Sequence, residues 1–203
     1  MLEAAQLECE RGGRSLFKSL SFTLEPGEAL RVAGANGRGK TSLLRILCGL
    51  LPPAQGEVRW KGTPIRALKE EFSRELVYLG HAPAVKEDLT AAENLAIACR
   101  LAGNPQPDDA VAEALAQLGL AGVNQQVRKM SQGQRRRAAL ARLALSASVP
   151  LWLLDEPFSA LDAGGINALR GLICKHLECG GAVAFTTHQD PGMGAAKLVD
   201  LDA

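Results

Sequence analysis

Gly34-Ala35-Asn36-Gly37-Arg38-Gly39-Lys40-Thr41 satisfies every fixed position of the phosphate-loop pattern Gly-x4-Gly-Lys-Ser/Thr, and its reading decides the fold. The flanks agree with it. Ala29-Leu30-Arg31-Val32-Ala33 reads as a short buried strand, and Ser42-Leu43-Leu44-Arg45-Ile46-Leu47 as the helix that follows. In that order the glycines let the backbone curl with its N–H groups inward. Loop and helix N-terminus then cradle the β- and γ-phosphates of a nucleoside triphosphate. Lys40 adds a full positive charge, Thr41 offers a hydroxyl to Mg²⁺, and Ser42 completes the candidate phosphate-binding set just inside the helix.

A second stretch supplies the acids that phosphoryl chemistry needs. Leu151-Trp152-Leu153-Leu154 is a continuous apolar run, as a central parallel strand buried on both faces requires, and it ends in Asp155-Glu156-Pro157. Ligands bind at the carboxyl ends of strands in open α/β sheets. Asp155 is therefore the candidate metal-shell acid, and Glu156 the candidate that orients or deprotonates an attacking water.

The bulk properties narrow the class. The chain has 203 residues, a formal net charge of +1, 47% hydrophobic and 22% charged residues, values that suit one globular domain with a substantial core. A near-zero charge argues against a broad nucleic-acid-binding surface. Five scattered cysteines without Cys-x-x-Cys spacing indicate neither a disulfide framework nor a zinc site, and a reducing cytoplasm is the simplest compartment. No apolar run approaches the ~20 residues that span a bilayer, so direct membrane insertion is not expected and any membrane role comes through a partner.

Along the chain, the alternation in Leu16-Phe17-Lys18-Ser19-Leu20-Ser21-Phe22-Thr23-Leu24 predicts antiparallel strands ahead of the phosphate-loop strand. Gly49, with Pro52 and Pro53 beyond it, is the expected stop of the phosphate-loop helix, and Gly56 to Gly62 reads as one more short strand. From Leu89 to about Ala147 an alanine- and leucine-rich helical pattern takes over, broken at Gly103 to Asp109. Strand and helix then alternate: Leu151 to Leu154, a helix near Ile166 to Leu177, and a strand Ala182 to Thr186. Within the helical region Ser131 and Gln134 form a capping box, placing a helix start with free N–H groups beside Gly133. The following arginines, Arg135 to Arg137, read as a solvated helix face.

Phosphate loop, Ser131-x-Gly133-Gln134 and Leu154-Asp155-Glu156-Pro157 occur in the order and spacing of the ATP-binding-cassette family, which the chain resembles over nearly its whole length. The resemblance implies an α/β P-loop NTPase cassette with a mostly parallel core sheet, an antiparallel β subdomain and an inserted helical subdomain. One domain would span 1–203, with 1–87 and 148–203 as the core lobe and 88–147 as the helical lobe. It implies MgATP as cofactor and hydrolysis carried by Lys40, Glu156 and His188, the last falling at the family's switch histidine. Ser131, Gly133 and Gln134 correspond to the family signature, and Asp162 to its D-loop. Both would close on ATP held by the opposite subunit of a head-to-tail homodimer.

Three positions depart from the general pattern. Gln132 replaces the signature's middle glycine, Arg11 stands where most cassettes stack an aromatic on adenine, and His81 stands at the Q-loop glutamine, a position that faces the metal. Arg11 and His81, with Cys9-Glu10, Leu16-Phe17, Lys86 and Leu89 to Leu95, are similar to the cassettes of c-type cytochrome maturation. Such a cassette works with separate transmembrane permease subunits, peripherally on the cytoplasmic face of a bacterial inner membrane, tying ATP hydrolysis to haem export or release of a haem-loaded chaperone. The rival readings are a subunit of another transporter, a soluble cassette acting on ribosomes or nucleic acid, and an ATP-gated interaction switch.

Overall fold

The structure, a computed structural model, describes residues 1–188, 192, 194 and 196–202. The opening alternation produces two long antiparallel strands, β1 (Leu2–Arg11) and β2 (Arg14–Leu24), turning at Gly12-Gly13. β3 (Ala29–Ala33) runs through the phosphate loop into α1 (Lys40–Leu47). β4 (Gln55–Trp60) and the short β5 (Thr63–Pro64) complete an antiparallel sheet in the order β2-β1-β4-β5. Two short helices, α2 (Ile65–Leu68) and α3 (Glu70–Arg74), lead to β6 (Leu76–Leu79).

The helical stretch follows: α4 (Ala91–Leu101), α5 (Asp108–Gln117), a 3-10 turn at Val127–Lys129 and α6 (Gln132–Ala144). The remaining elements are β7 (Leu151–Leu154), α7 (Ala163–Glu178), β8 (Ala182–Thr186) and β9 (Lys197–Asp200). The second sheet takes the order β6-β7-β8-β3-β9, and every neighbouring pair in it is parallel.

Alternation along the strands explains why the parallel sheet is sequestered. Leu151 and Leu153 of β7 and Ala182 and Ala184 of β8 join one apolar cluster with β1 and α1. Trp152, Leu154, Val183 and Phe185 point the other way, into a cluster shared with α4, α5, α6 and α7. A strand buried on both faces must be apolar throughout, and β7 is fully buried. The phosphate loop leaves β3 and the acids leave β7 at the same, carboxyl edge of this sheet, with β8 between them.

Two sequence expectations need adjusting. α7 starts at Ala163 rather than near Ile166, because the Asp162 side chain accepts the Gly165 N–H and caps the helix, outweighing the poor propensity of Gly164 and Gly165. The arginine run is not a solvated face. Arg136 is only 4% exposed, the Arg137 side chain is held by Asp162, and Arg135 donates to the carbonyls of Met130 and Arg128. The physical reason is that α6 packs side-on into the sheet edge, so its first turns meet backbone carbonyls rather than water.

Candidate nucleotide-binding and hydrolysis site

Gly39 makes the turn from loop to helix: its φ is +102°, and a Cβ there would lie 3.1 Å from the Leu16 side chain. Strain and crowding both demand glycine. With α1 started, Lys40 is buried and its ammonium donates to the Gly34 carbonyl at 2.7 Å and the Ala35 carbonyl at 3.2 Å. A charge stationed on its own loop is ready to be shared with phosphate oxygens.

Asn36, Gly37, Gly39, Lys40, Thr41 and Ser42 line one wall of an open pocket of about 490 Å³, within the size range of small-molecule sites. Asp155, Glu156, His81 and His188 line the same pocket, as do Arg11 and Leu16. Gly34, Ala35 and Arg38 lie outside this lining. Ala35 donates its N–H to the Asp202 carboxylate at 2.6 Å and the Arg38 guanidinium pairs with the same group, which holds the Asp202 carboxyl below its ordinary range. Arg38 is thereby held by the C-terminal strand's end rather than by the pocket.

The two acids differ in environment. Asp155 is 1% exposed; its Oδ1 accepts from the Thr186 hydroxyl at 2.8 Å, while its Oδ2 has no hydrogen-bond partner. A buried carboxylate oxygen with nothing to bind is costly, and a cation at that position resolves the cost. Thr41, a hydroxyl-bearing residue, lines the same pocket. Among the described residues no group of three or more His, Cys, Asp or Glu could hold a metal. That donor set suits Mg²⁺, which binds through one or two protein oxygens plus substrate phosphates, better than a metal needing a full protein cage.

Glu156 carries a left-handed backbone, φ +50°, a conformation that costs a non-glycine residue about 1–2 kcal/mol. Its side chain is turned toward His188, whose Nε2 stands 3.2 Å from Oε1, at ion-pair distance but outside hydrogen-bonding geometry.

Ser131, Gly133, Gln134 and Asp162 do not reach this pocket. They line a second, separate depression with Arg137 and Ala160. The capping box is formed there: Ser131 Oγ accepts from the Gln134 N–H at 3.2 Å and Gln134 Oε1 accepts from the Ser131 N–H at 3.0 Å. Gly133 passes so close to the Ala160 carbonyl that a Cβ would sit 2.9 Å from it. The Asp162 carboxyl is lowered by the Gly165 N–H and then by Arg137.

Sequence reasoning missed Thr186, Arg136 and Leu16. Thr186 and Arg136 act through contacts across 30 and 56 positions that no local pattern encodes.

Phosphate loop, paired acids at a strand end, and a capped helix on a second face define a nucleotide-binding cassette. The chain belongs to the ABC transporter family, whose pattern matches residues 17–159. Among its relatives, the cytochrome c biogenesis ATP-binding export protein CcmA of Aromatoleum aromaticum is 53% identical over 94% of this chain and 89% of its own. The protein of the same name from Dechloromonas aromatica is 51% identical over 99% and 98%. The fold is shared with a putative ABC transporter ATP-binding protein from Pyrococcus furiosus, with a TM-score of 0.85 at 23% identity over 99% of this chain and 97% of that one. It is shared too with the cassette MJ0796 in a dimeric post-hydrolysis state bound to ADP and Pi, with a TM-score of 0.80 at 24% identity over 93% and 88%.

Proposed function

We propose that this chain is the ATP-hydrolysing subunit of an ABC membrane complex serving c-type cytochrome biogenesis, driving haem export or the release of a haem-loaded chaperone. The observation that carries the ATPase reading is the convergence of Lys40, Thr41, Asp155, Glu156 and His188 on one pocket. The biogenesis assignment rests on full-length likeness to proteins named for that process.

In this reading the backbone N–H groups of Gly37 to Thr41 and the Lys40 ammonium bind the β- and γ-phosphates. Thr41 and Asp155, with His81 as a further candidate, would hold Mg²⁺, which when bound would neutralise phosphate charge. Glu156 orients water or takes its proton, and His188 steadies the γ-phosphate beside it. Arg11 and Leu16 receive the base. Ser131, Gly133, Gln134 and Asp162 complete the site of a second copy, so two ATP molecules are enclosed by a head-to-tail homodimer.

The chain acts as a single domain, 1–203, whose helical lobe, 88–147, meets separate transmembrane permease subunits. No helix among the described residues is long and apolar enough to cross a membrane, which fits a peripheral position on the cytoplasmic face of the inner membrane. Affinity purification from solubilised membranes followed by an ATPase assay tests the reading. Co-purifying permease subunits with Mg²⁺-dependent turnover are expected; a chain recovered only free, or only with ribosomes, overturns it.

A further inference from the structure

The first turns of α6 bring Arg136 into the carboxyl edge of the parallel sheet, where its guanidinium is almost wholly buried. Among the described residues no carboxylate hydrogen-bonds it. Nη1 donates to the carbonyls of Gly80 at 3.0 Å and His81 at 3.1 Å, and Nη2 to those of Asp155 at 2.8 Å and Glu156 at 2.7 Å. A guanidinium has five N–H donors in a fixed fork, and only Nε–H is left without a partner.

These four carbonyls belong to two segments that matter. His81, with Gly80 just before it, follows β6 and lines the nucleotide pocket, and Asp155-Glu156 carries the acids. The left-handed backbone at Glu156 is fixed at both ends: its N–H donates to Thr186 Oγ1 at 2.7 Å, and its carbonyl, like that of Asp155 before it, is held by Arg136. A strained peptide persists only where its surroundings over-determine it. Burial lowers the guanidinium's proton affinity, while the nearby charges of Asp155 and Glu156 raise it.

We propose that Arg136 is a positioning residue for hydrolysis: it locks the Glu156 turn and the 80–81 segment to helix α6, so that the carboxylate reaches its water only while α6 sits against the sheet edge. The inference rests on the reading of Glu156 as the water-orienting group. Because α6 begins at the Ser131 cap, movement at that phosphate-facing edge is carried one helical turn to the acids. Lysine cannot replace this arrangement, since one ammonium with three donors on a thin stem cannot span four carbonyls in a plane.

The test compares Arg136→Lys, Arg136→Met and Glu156→Gln in the full chain. Thermal melting, affinity for a fluorescent ATP analogue, and kcat and KM per nucleotide-binding molecule are measured. Arg136→Lys, with three donors for four carbonyls, is expected to melt below the parent yet still fold and bind the analogue normally, with kcat per binding-competent molecule lowered roughly tenfold or more and KM within about threefold. Arg136→Met should lower kcat further; if it fails to fold, the lysine variant alone decides. A parental kcat per binding-competent molecule in Arg136→Lys, or a rise in KM with kcat unchanged, overturns the inference. Loss of turnover in Glu156→Gln beside a parental Arg136→Lys sinks the inference alone, whereas retained turnover in Glu156→Gln sinks the reading of Glu156 beneath it.

Discussion

The Thr186 hydroxyl stands between the two acids: it donates to Asp155 Oδ1 at 2.8 Å and accepts the Glu156 N–H at 2.7 Å. β8 therefore fixes the Asp155 carboxylate and the Glu156 backbone relative to each other, although it contributes no acid itself. Thr186→Val, nearly equal in shape, should destabilise the fold by about 1–3 kcal/mol by leaving a buried N–H and a carboxylate oxygen short of a partner. Chemical denaturation measures this, and turnover should fall further than the folded fraction does. A variant with parental stability and kcat would show that the bridge is dispensable.

Glu156→Gln should retain ATP binding and lose nearly all turnover, because it removes the carboxylate while leaving Asp155 in place. ATP-bound dimers should then accumulate on size-exclusion chromatography with MgATP. Parental hydrolysis would assign the water to another group.

Much of this was legible in the residues because the chemistry is local. Phosphate loop, capping box and the apolar strand ending in Asp155-Glu156 each occupy a few consecutive positions with fixed residue types. Strands β6 and β9 were not singled out: each is only four residues long, and partly exposed Leu76, Tyr78 and Leu198 give neither clean alternation nor a continuous run. Arg136 was hidden for a different reason. Its neighbours Arg135 and Arg137 make the run look like a charged face, and the carbonyls that hold Arg136 come from segments 19 to 56 positions away.

Base selectivity should be weak. Exposed Arg11 and partly buried Leu16 line the pocket, so a base held by them meets a guanidinium plane and one aliphatic side chain instead of an aromatic face. The missing stack is worth about 1–3 kcal/mol, so GTP should compete within roughly tenfold of ATP. Competition against a fluorescent ATP analogue checks this, and a preference for ATP above about a hundredfold would mean that another residue reads the base.

Acid should loosen the fold before it titrates the carboxylates. His176 is buried and stacked on Trp152, ring centroids 3.8 Å apart, with no hydrogen-bond partner on either ring nitrogen, and burial holds its imidazole below the ordinary value of 6.5. The native state thus binds this proton less readily than the unfolded chain. Its contribution is complete above 6.5 and is lost as pH falls from there through the lowered native value. Melting temperature should decline below about pH 6.5, ahead of the range near 4 where Asp and Glu titrate. His176→Phe, which keeps a ring on Trp152, should flatten that first decline; an unchanged profile would place the titration elsewhere.

The phosphate pocket and the Ser131-Gly133-Gln134 edge lie on separate faces of one chain, and that separation has a genetic consequence under head-to-tail pairing. A copy with a ruined Ser131 edge but a sound phosphate loop still pairs, and it disables one seam of every normal partner it meets. Such an allele interferes with the normal one rather than being silently recessive. Conversely, two alleles that are each inactive alone, one broken at Lys40 and one at Ser131, rebuild a single intact seam when they pair and restore part of the activity.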